Sequence, residues 1–163
     1  MTRFMLAVAA VVCAVGTAWA GGPPPMYVVA DKVTIDTAAP ERVTITGTFI
    51  RLKEGPGRDY GAPVEGSITL ALDEAKAAEC RAEWKKWEKA AGTGRAVAVG
   101  MCELGGSLLT AKITKPGDTA PAEKVVYTPG HLGTVEKQEW EDQPPVKALL
   151  AHVKAKKVRA ARP

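Results

Sequence analysis

Cys80 and Cys102 are the residues whose types most directly suggest chemistry, because two thiols can form a disulfide, bind a metal or exchange electrons. No Cys-x-x-Cys spacing is present, and neither His131 nor His152 lies near either cysteine in sequence. This pattern argues against a zinc site, a thioredoxin-like centre and haem attachment. A structural disulfide is the favoured interpretation, with a free or regulatory thiol pair as the alternative. Such a bond would stabilise the fold by about 3 kcal/mol.

The serines and histidines do not form a recognisable catalytic pattern. Ser67 and Ser107 lie in EGSIT and GGSLL, and both segments lack the second flanking glycine of a nucleophile elbow. His131 follows Pro129 and Gly130 in a predicted turn, where a histidine is usually solvated. We therefore expect a protein that is not an enzyme, without a cofactor or metal, and keep an unrecognised hydrolase as an alternative.

A basic segment closes the sequence, and it is the first candidate binding element. Residues 21–142 hold fifteen basic and eighteen acidic residues, whereas the segment from Gln143 onward has no acidic residue. Its basic residues are Lys147, Lys154, Lys156, Lys157, Arg159 and Arg162. One interpretation is a cationic arm for membrane headgroups, an envelope polymer, nucleic acid or the protein's own acidic surface. The other is a solvated tail; charge alone gives salt-sensitive affinity and no specific nucleic-acid signature.

A glycine- and proline-rich loop is the second candidate. The segment EGPGRDYGAP carries Arg58 and Tyr60, a cation and an aromatic ring that together suit a peptide, glycan or anionic ligand. The alternative interpretation is an ordinary solvated turn.

The first 20 residues have the pattern of a secretory signal peptide. A positive start, an apolar run and the small-x-small site Ala18-Trp19-Ala20 predict cleavage after Ala20 and a periplasmic or extracellular protein. Residues 21–25 form a Gly/Pro linker, and no later segment is long and apolar enough to span a bilayer.

One helix is predicted in the segment that begins at Asp73. Its apolar face is spaced by three and four residues, and Gly92 ends it. That face consists of Ala77, Cys80, Trp84, Trp87 and Ala91. We interpret the tryptophans as core anchors rather than as a stacking platform for a base or a sugar.

Strands are predicted on both sides of this helix. MYVVADKVTI, ERVTITGTFIRL and SITLAL precede it, and Gly47 inside the second suggests a bulge or a tightly coiled strand. RAVAVGMC follows, with Val97 and Val99 on one face and a small-residue face expected to approach the tryptophan-bearing helix. Either LLTAKIT or KVVYT is expected to complete the sheet.

Three strands, a helix and further strands make the order of an OB-fold. The fold class is therefore mainly β with one covering helix, as an OB-like five-stranded barrel, with an α+β sheet and one packed helix as the alternative. The expected domain spans residues 26–142. Val146, Leu149, Leu150 and Val153 predict a short amphipathic helix after Pro145, fraying into KAKKVRAARP within a tail of residues 143–163.

Residues 28–135 also resemble exported bacterial proteins that share a similar strand, Cys-bearing helix and AGTG turn. The resemblance implies an exported domain and carries no activity with it. We expect a non-catalytic binding or accessory module of the cell envelope, whose partner is an envelope polymer, a membrane surface or another exported protein. An interaction protein that docks through its basic tail is the alternative.

Overall fold

A computed structural model describes residues 24–54, 59–100, 111–118, 125–129 and 141–161. The elements within these ranges follow in chain order. They are β1 (Met26–Asp36), β2 (Arg42–Arg51), β3 (Val64–Leu72), α1 (Ala77–Ala90), β4 (Ala96–Val99), β5 (Val125–Tyr127) and α2 (Pro144–Ala160).

The strands form one mixed sheet that curls into a half-barrel. Their spatial order is β4-β1-β2-β3-β5, and each neighbouring pair is antiparallel except β3 and β5, which run parallel. The helix α1 lies between the third and fourth strands in sequence. The prediction of a mainly β, OB-like five-stranded fold with a covering helix is confirmed.

The last strand of the sheet comes from one of the two segments that the sequence offered for it. KVVYT supplies β5, whereas the described part of LLTAKIT contributes a single bridge, between Thr114 and Ser67. The β5 strand is short, and its parallel pairing with β3 requires the long connection that separates the two strands.

A β-bulge bends the sheet opposite Gly47. Ala30 pairs with Gly47 and Lys32 pairs with Thr46, so Asp31 is an extra residue in β1. A Cβ on Gly47 would overlap the carbonyl oxygen of Val29 and lie 2.9 Å from the Cα of Ala30. The close approach of the two backbones explains the glycine inside β2. The irregularity suggested by Gly47 is a bulge, but its extra residue lies in the neighbouring strand β1 and not in β2.

The inner face of the half-barrel holds the larger apolar core. Val28, Ile45, Phe49 and Leu70 are buried there with Trp84 and Trp87 of α1. The ring of Trp87 meets the ring of Tyr127 edge to face, with 5.0 Å between centroids. The interpretation of both tryptophans as core anchors is confirmed.

The start and end of α1 also follow the sequence prediction. The side chain of Asp73 accepts a hydrogen bond of 3.0 Å from the backbone N–H of Ala75, which caps a short 3₁₀ turn before the helix. After Ala90 the chain turns at Gly92, whose φ of 73° is unfavourable for residues with a Cβ.

The outer face of the sheet is covered by α2, and here two predictions are corrected. The helix does not fray at KAKKVRA but continues to Ala160. The small residues Ala96 and Ala98 of β4 face α2, whereas Val97 and Val99 face the tryptophan-bearing core. The apolar content of both faces was recognised, but alternation cannot tell which helix covers which face.

We expect Gly47→Ala to lower the free energy of unfolding by about 3 kcal/mol, because the new Cβ would force β1 and β2 apart. Urea denaturation followed by circular dichroism measures this loss. Gly61→Ala is the matched control, since its Cβ would lie 3.6 Å from the carbonyl oxygen of Arg51, an ordinary contact. Equal stabilities for the two variants would contradict the proposed backbone constraint.

Candidate functional site

The predicted site residues divide between described and undescribed parts of the chain. Cys102, Arg58 and Arg162, together with His131, lie outside the described residues. The others are Cys80, Tyr60, Lys147, Lys154, Lys156, Lys157 and Arg159, and their positions follow.

Cys80 is buried on the inner side of α1 and has no disulfide partner among the described residues. Its Sγ donates to the carbonyl oxygen of Tyr127 at 3.5 Å. Burial raises the pKa of the thiol above its ordinary value, which disfavours the reactive thiolate. Because Cys102 lies outside the described residues, its pairing with Cys80 stays a prediction. The strand alternation used to orient Cys102 ends at Gly100, where φ is 74°.

Native Cys80 is expected to resist alkylation at pH 8, because its thiol is buried and its pKa is raised. Unfolding in urea with reductant is expected to allow alkylation, which peptide mass spectrometry would detect. Rapid labelling of Cys80 in the native protein would contradict the buried thiol. Unfolding without reductant then tests the predicted pairing with Cys102, since a disulfide would block labelling.

Tyr60 holds the loop to the beginning of β1. Its hydroxyl donates to the carbonyl oxygen of Pro24 at 2.6 Å, and its ring lies 5.6 Å from that of Tyr27. These contacts give Tyr60 a packing role in the structure. A ligand-binding role for Tyr60 together with Arg58 stays a prediction.

The remaining candidates lie on α2, which is anchored to the outer sheet face by apolar contacts. Val146, Leu149 and Val153 are buried against a surface that includes Tyr27 and Ile50. Full burial of a side chain such as Leu149 contributes about 2 kcal/mol. The helix is therefore an integral part of the fold, and its charged side chains have defined positions.

Two of these cations are paired with carboxylates of the protein. Lys156 Nζ lies 2.9 Å from Glu65 on β3, and this hydrogen bond raises the pKa of Lys156. Lys147 Nζ lies 3.1 Å from Asp142. Both pairs are exposed, so their individual contributions to stability are small. Lys156 and Lys147 thus contact carboxylates of the protein itself.

Three further cations of α2 face solvent, and we call them the basic face: Lys154, Lys157 and Arg159. No carboxylate of the described residues forms a salt bridge with any of the three. The segment Pro144–Ala160 contains no acidic residue that could neutralise them. These cations therefore present positive charge on a helix that is docked on the sheet, with Lys154 and Lys157 on one flank and Arg159 on another.

A groove of about 360 Å³ runs along the C-terminal half of α2, and we call it the helix groove. The turn at Gly94 borders it, and its apolar lining includes Leu150, Val153 and Val158. Lys154 and Lys157 contribute its charged groups. The basic face was expected from the sequence, but the participation of Gly94 and Val158 was not.

The sequence does contain a signal for Val158. Val146, Leu149 and Val153 follow one helical stripe, and Val158 lies off this stripe among lysine and arginine residues. An apolar residue in that position is not needed to dock the helix. It is one of two large hydrophobic side chains exposed among the described residues, together with Val126.

A second, polar groove of about 260 Å³ lies beside the bulge in β1. Asp31, Glu65, Ser67 and Lys115 contribute to its lining, and Lys156 reaches into it from α2. It carries charges of both signs, and two of them, Lys156 and Glu65, form an ion pair. It therefore offers less preference for a particular ligand charge than the helix groove.

The described residues contain no group of three or more His, Cys, Asp or Glu side chains arranged to hold a metal ion. Among them, no helix is long and apolar enough to cross a bilayer. His152 is exposed on α2.

Comparisons with protein-family models, with curated proteins and with solved structures found no match to this chain. The function of the chain is therefore inferred from the geometry of its own residues.

Proposed function

We propose that the protein is a non-catalytic binding module of the cell envelope, which holds an anionic partner on the basic face of α2. The observation that carries this proposal is the docking of a helix without acidic residues on the outer sheet face, so that Lys154, Lys157 and Arg159 face solvent with no salt-bridge partner among the described residues. The periplasmic or extracellular location comes from the N-terminal sequence pattern and is part of the proposal.

The fixed position of the cations on α2 supports a role in binding rather than in solubility alone. A disordered cationic tail would lose conformational entropy when it met a partner. Here Val146, Leu149 and Val153 already hold the helix against the sheet, so this ordering cost is met by folding. Lys154 and Lys157 lie one helical turn apart on one side of α2 and can contact neighbouring anionic groups together.

Residues 21–142 and α2 have net charges of opposite sign. Residues 21–142 carry three more acidic than basic residues, so positive charge is concentrated on one element. A polyanion would approach α2 and be repelled from much of the remaining surface. This asymmetry supports an oriented complex.

Lys154→Gln/Lys157→Gln is expected to weaken binding to anionic vesicles and to polyphosphate by roughly 25-fold, at about 1 kcal/mol per cation. The matched control is Lys85→Gln/Lys89→Gln, which removes the same charge from the exposed surface of α1. Binding would be measured by co-sedimentation for vesicles and by calorimetry for polyphosphate. The affinity of the wild type should fall steeply between about 0.05 and 0.5 M salt.

Equal losses in the two double variants would mean that net charge, and not the basic face, determines binding. Absence of binding to both anionic probes would contradict the proposed function.

The proposed export predicts the location and the first residue of the mature chain. Expression of the full sequence in a bacterial host with an intact secretion system should yield a periplasmic protein that begins at Gly21. Intact-mass spectrometry of the fractionated protein would measure this. A cytoplasmic protein that retains residues 1–20 would contradict it, and Ala18→Arg/Ala20→Arg provides a control in which the cleavage site is destroyed.

A further inference from the structure

The helix groove combines two chemical properties on one flank of α2. Leu150, Lys154, Val158 and Ala161 follow one another at intervals of three or four residues, which places them on the same side of the helix. Lys156, which binds Glu65, lies on the opposite flank. The groove is therefore separate from the contact that ties α2 to β3.

Apolar side chains form most of the groove surface. Leu150 and Val153 continue the apolar cluster that docks α2 on the sheet, and this cluster reaches the protein surface there. Val158 extends it outward with half of its side chain exposed, at 50%. Gly94 borders the groove opposite α2 and has no side chain that would close it.

The charged groups that the described residues bring to the groove lining are cationic. Lys154 and Lys157 border the apolar surface, and none of the described lining residues carries a carboxylate. Arg159, adjacent to Val158 in sequence, adds a third exposed cation on α2. The complementary ligand is therefore anionic at one end and apolar at the other.

This combination favours a lipid surface over the other anionic partners. Exposed apolar side chains bordered by Lys and Arg are typical of helices that lie at a membrane interface, where the cations meet phosphates and the apolar groups reach the acyl region. A hydrophilic polyanion would leave Val158 without a contact. Nucleic-acid bases are usually bound by stacking on aromatic rings, and none of the described residues that line the groove is aromatic.

We propose that the helix groove is a docking site for anionic membrane lipid, with Lys154 and Lys157 on the headgroup phosphates and Val158 in contact with the acyl region. This inference rests on the proposed function and names its partner. It requires the membrane to touch only the exposed flank and end of α2, so the helix stays docked on the sheet.

The test compares two exposed valines on two anionic probes. Val158→Ser is expected to weaken binding to phosphatidylglycerol–phosphatidylcholine vesicles roughly fivefold, because it removes apolar contact while leaving every charge in place. Its binding to polyphosphate should be unchanged. Val126→Ser is the matched control, since Val126 on β5 is 47% exposed and lies at the other end of the sheet order. It should bind both probes like the wild type.

A gain-of-function variant makes the test independent of any loss of fold. Val158→Phe is expected to strengthen vesicle binding several-fold and to leave polyphosphate binding unchanged. Circular dichroism and urea denaturation would verify that all three valine variants are folded.

The outcomes separate the inference from the function on which it rests. If vesicle binding depends on Lys154 and Lys157 but is unaffected by both substitutions at Val158, the lipid site is overturned and the anion-binding function stands. Binding to polyphosphate without binding to vesicles would also overturn the lipid site, in favour of a hydrophilic anionic polymer. Failure of the wild type to bind any of these probes would overturn both.

Discussion

The structure depends on the need to cover a strand that is apolar on both faces. From Met26 to Ala30 every residue of β1 is buried. Met26 and Val28 point into the half-barrel, while Tyr27 and Val29 point to its outer side. A strand with this pattern is stable only between two layers. The inner layer includes the tryptophans of α1, and the outer layer is α2.

This requirement also fixes the positions of the basic residues that follow Gln143. Once Val146, Leu149 and Val153 cover the outer face of β1 and β4, the cations of α2 have fixed positions and must point to solvent or to carboxylates at the rim. Glu65 takes one of them, Lys156. The same docking forms the helix groove against the turn at Gly94. Packing and candidate binding site are thus consequences of one interface.

Sequence periodicity predicted the structure correctly where the local pattern of a residue allows only one arrangement. Gly47 interrupts a strand that must coil, and the stripe from Cys80 to Trp87 has to face a core. Periodicity was insufficient where two partners compete for one face. Ala96 and Ala98 could admit either helix, and only the three-dimensional packing assigns them to α2. The helical extension to Ala160 likewise depends on tertiary contacts that a basic, frayed-looking segment does not reveal.

The amino-acid sequence by itself determined the mainly β class, the strand and helix order, the core face of α1 and the concentration of positive charge after Gln143, because these properties depend on neighbours along the chain. Only the tertiary structure decided that β3 and β5 pair in parallel, that Tyr60 binds the Pro24 carbonyl group, and that Gly94 borders a groove with Val158 and Lys154. Those arrangements join residues distant in sequence, and their geometry is set by how the helices cover both sides of one sheet.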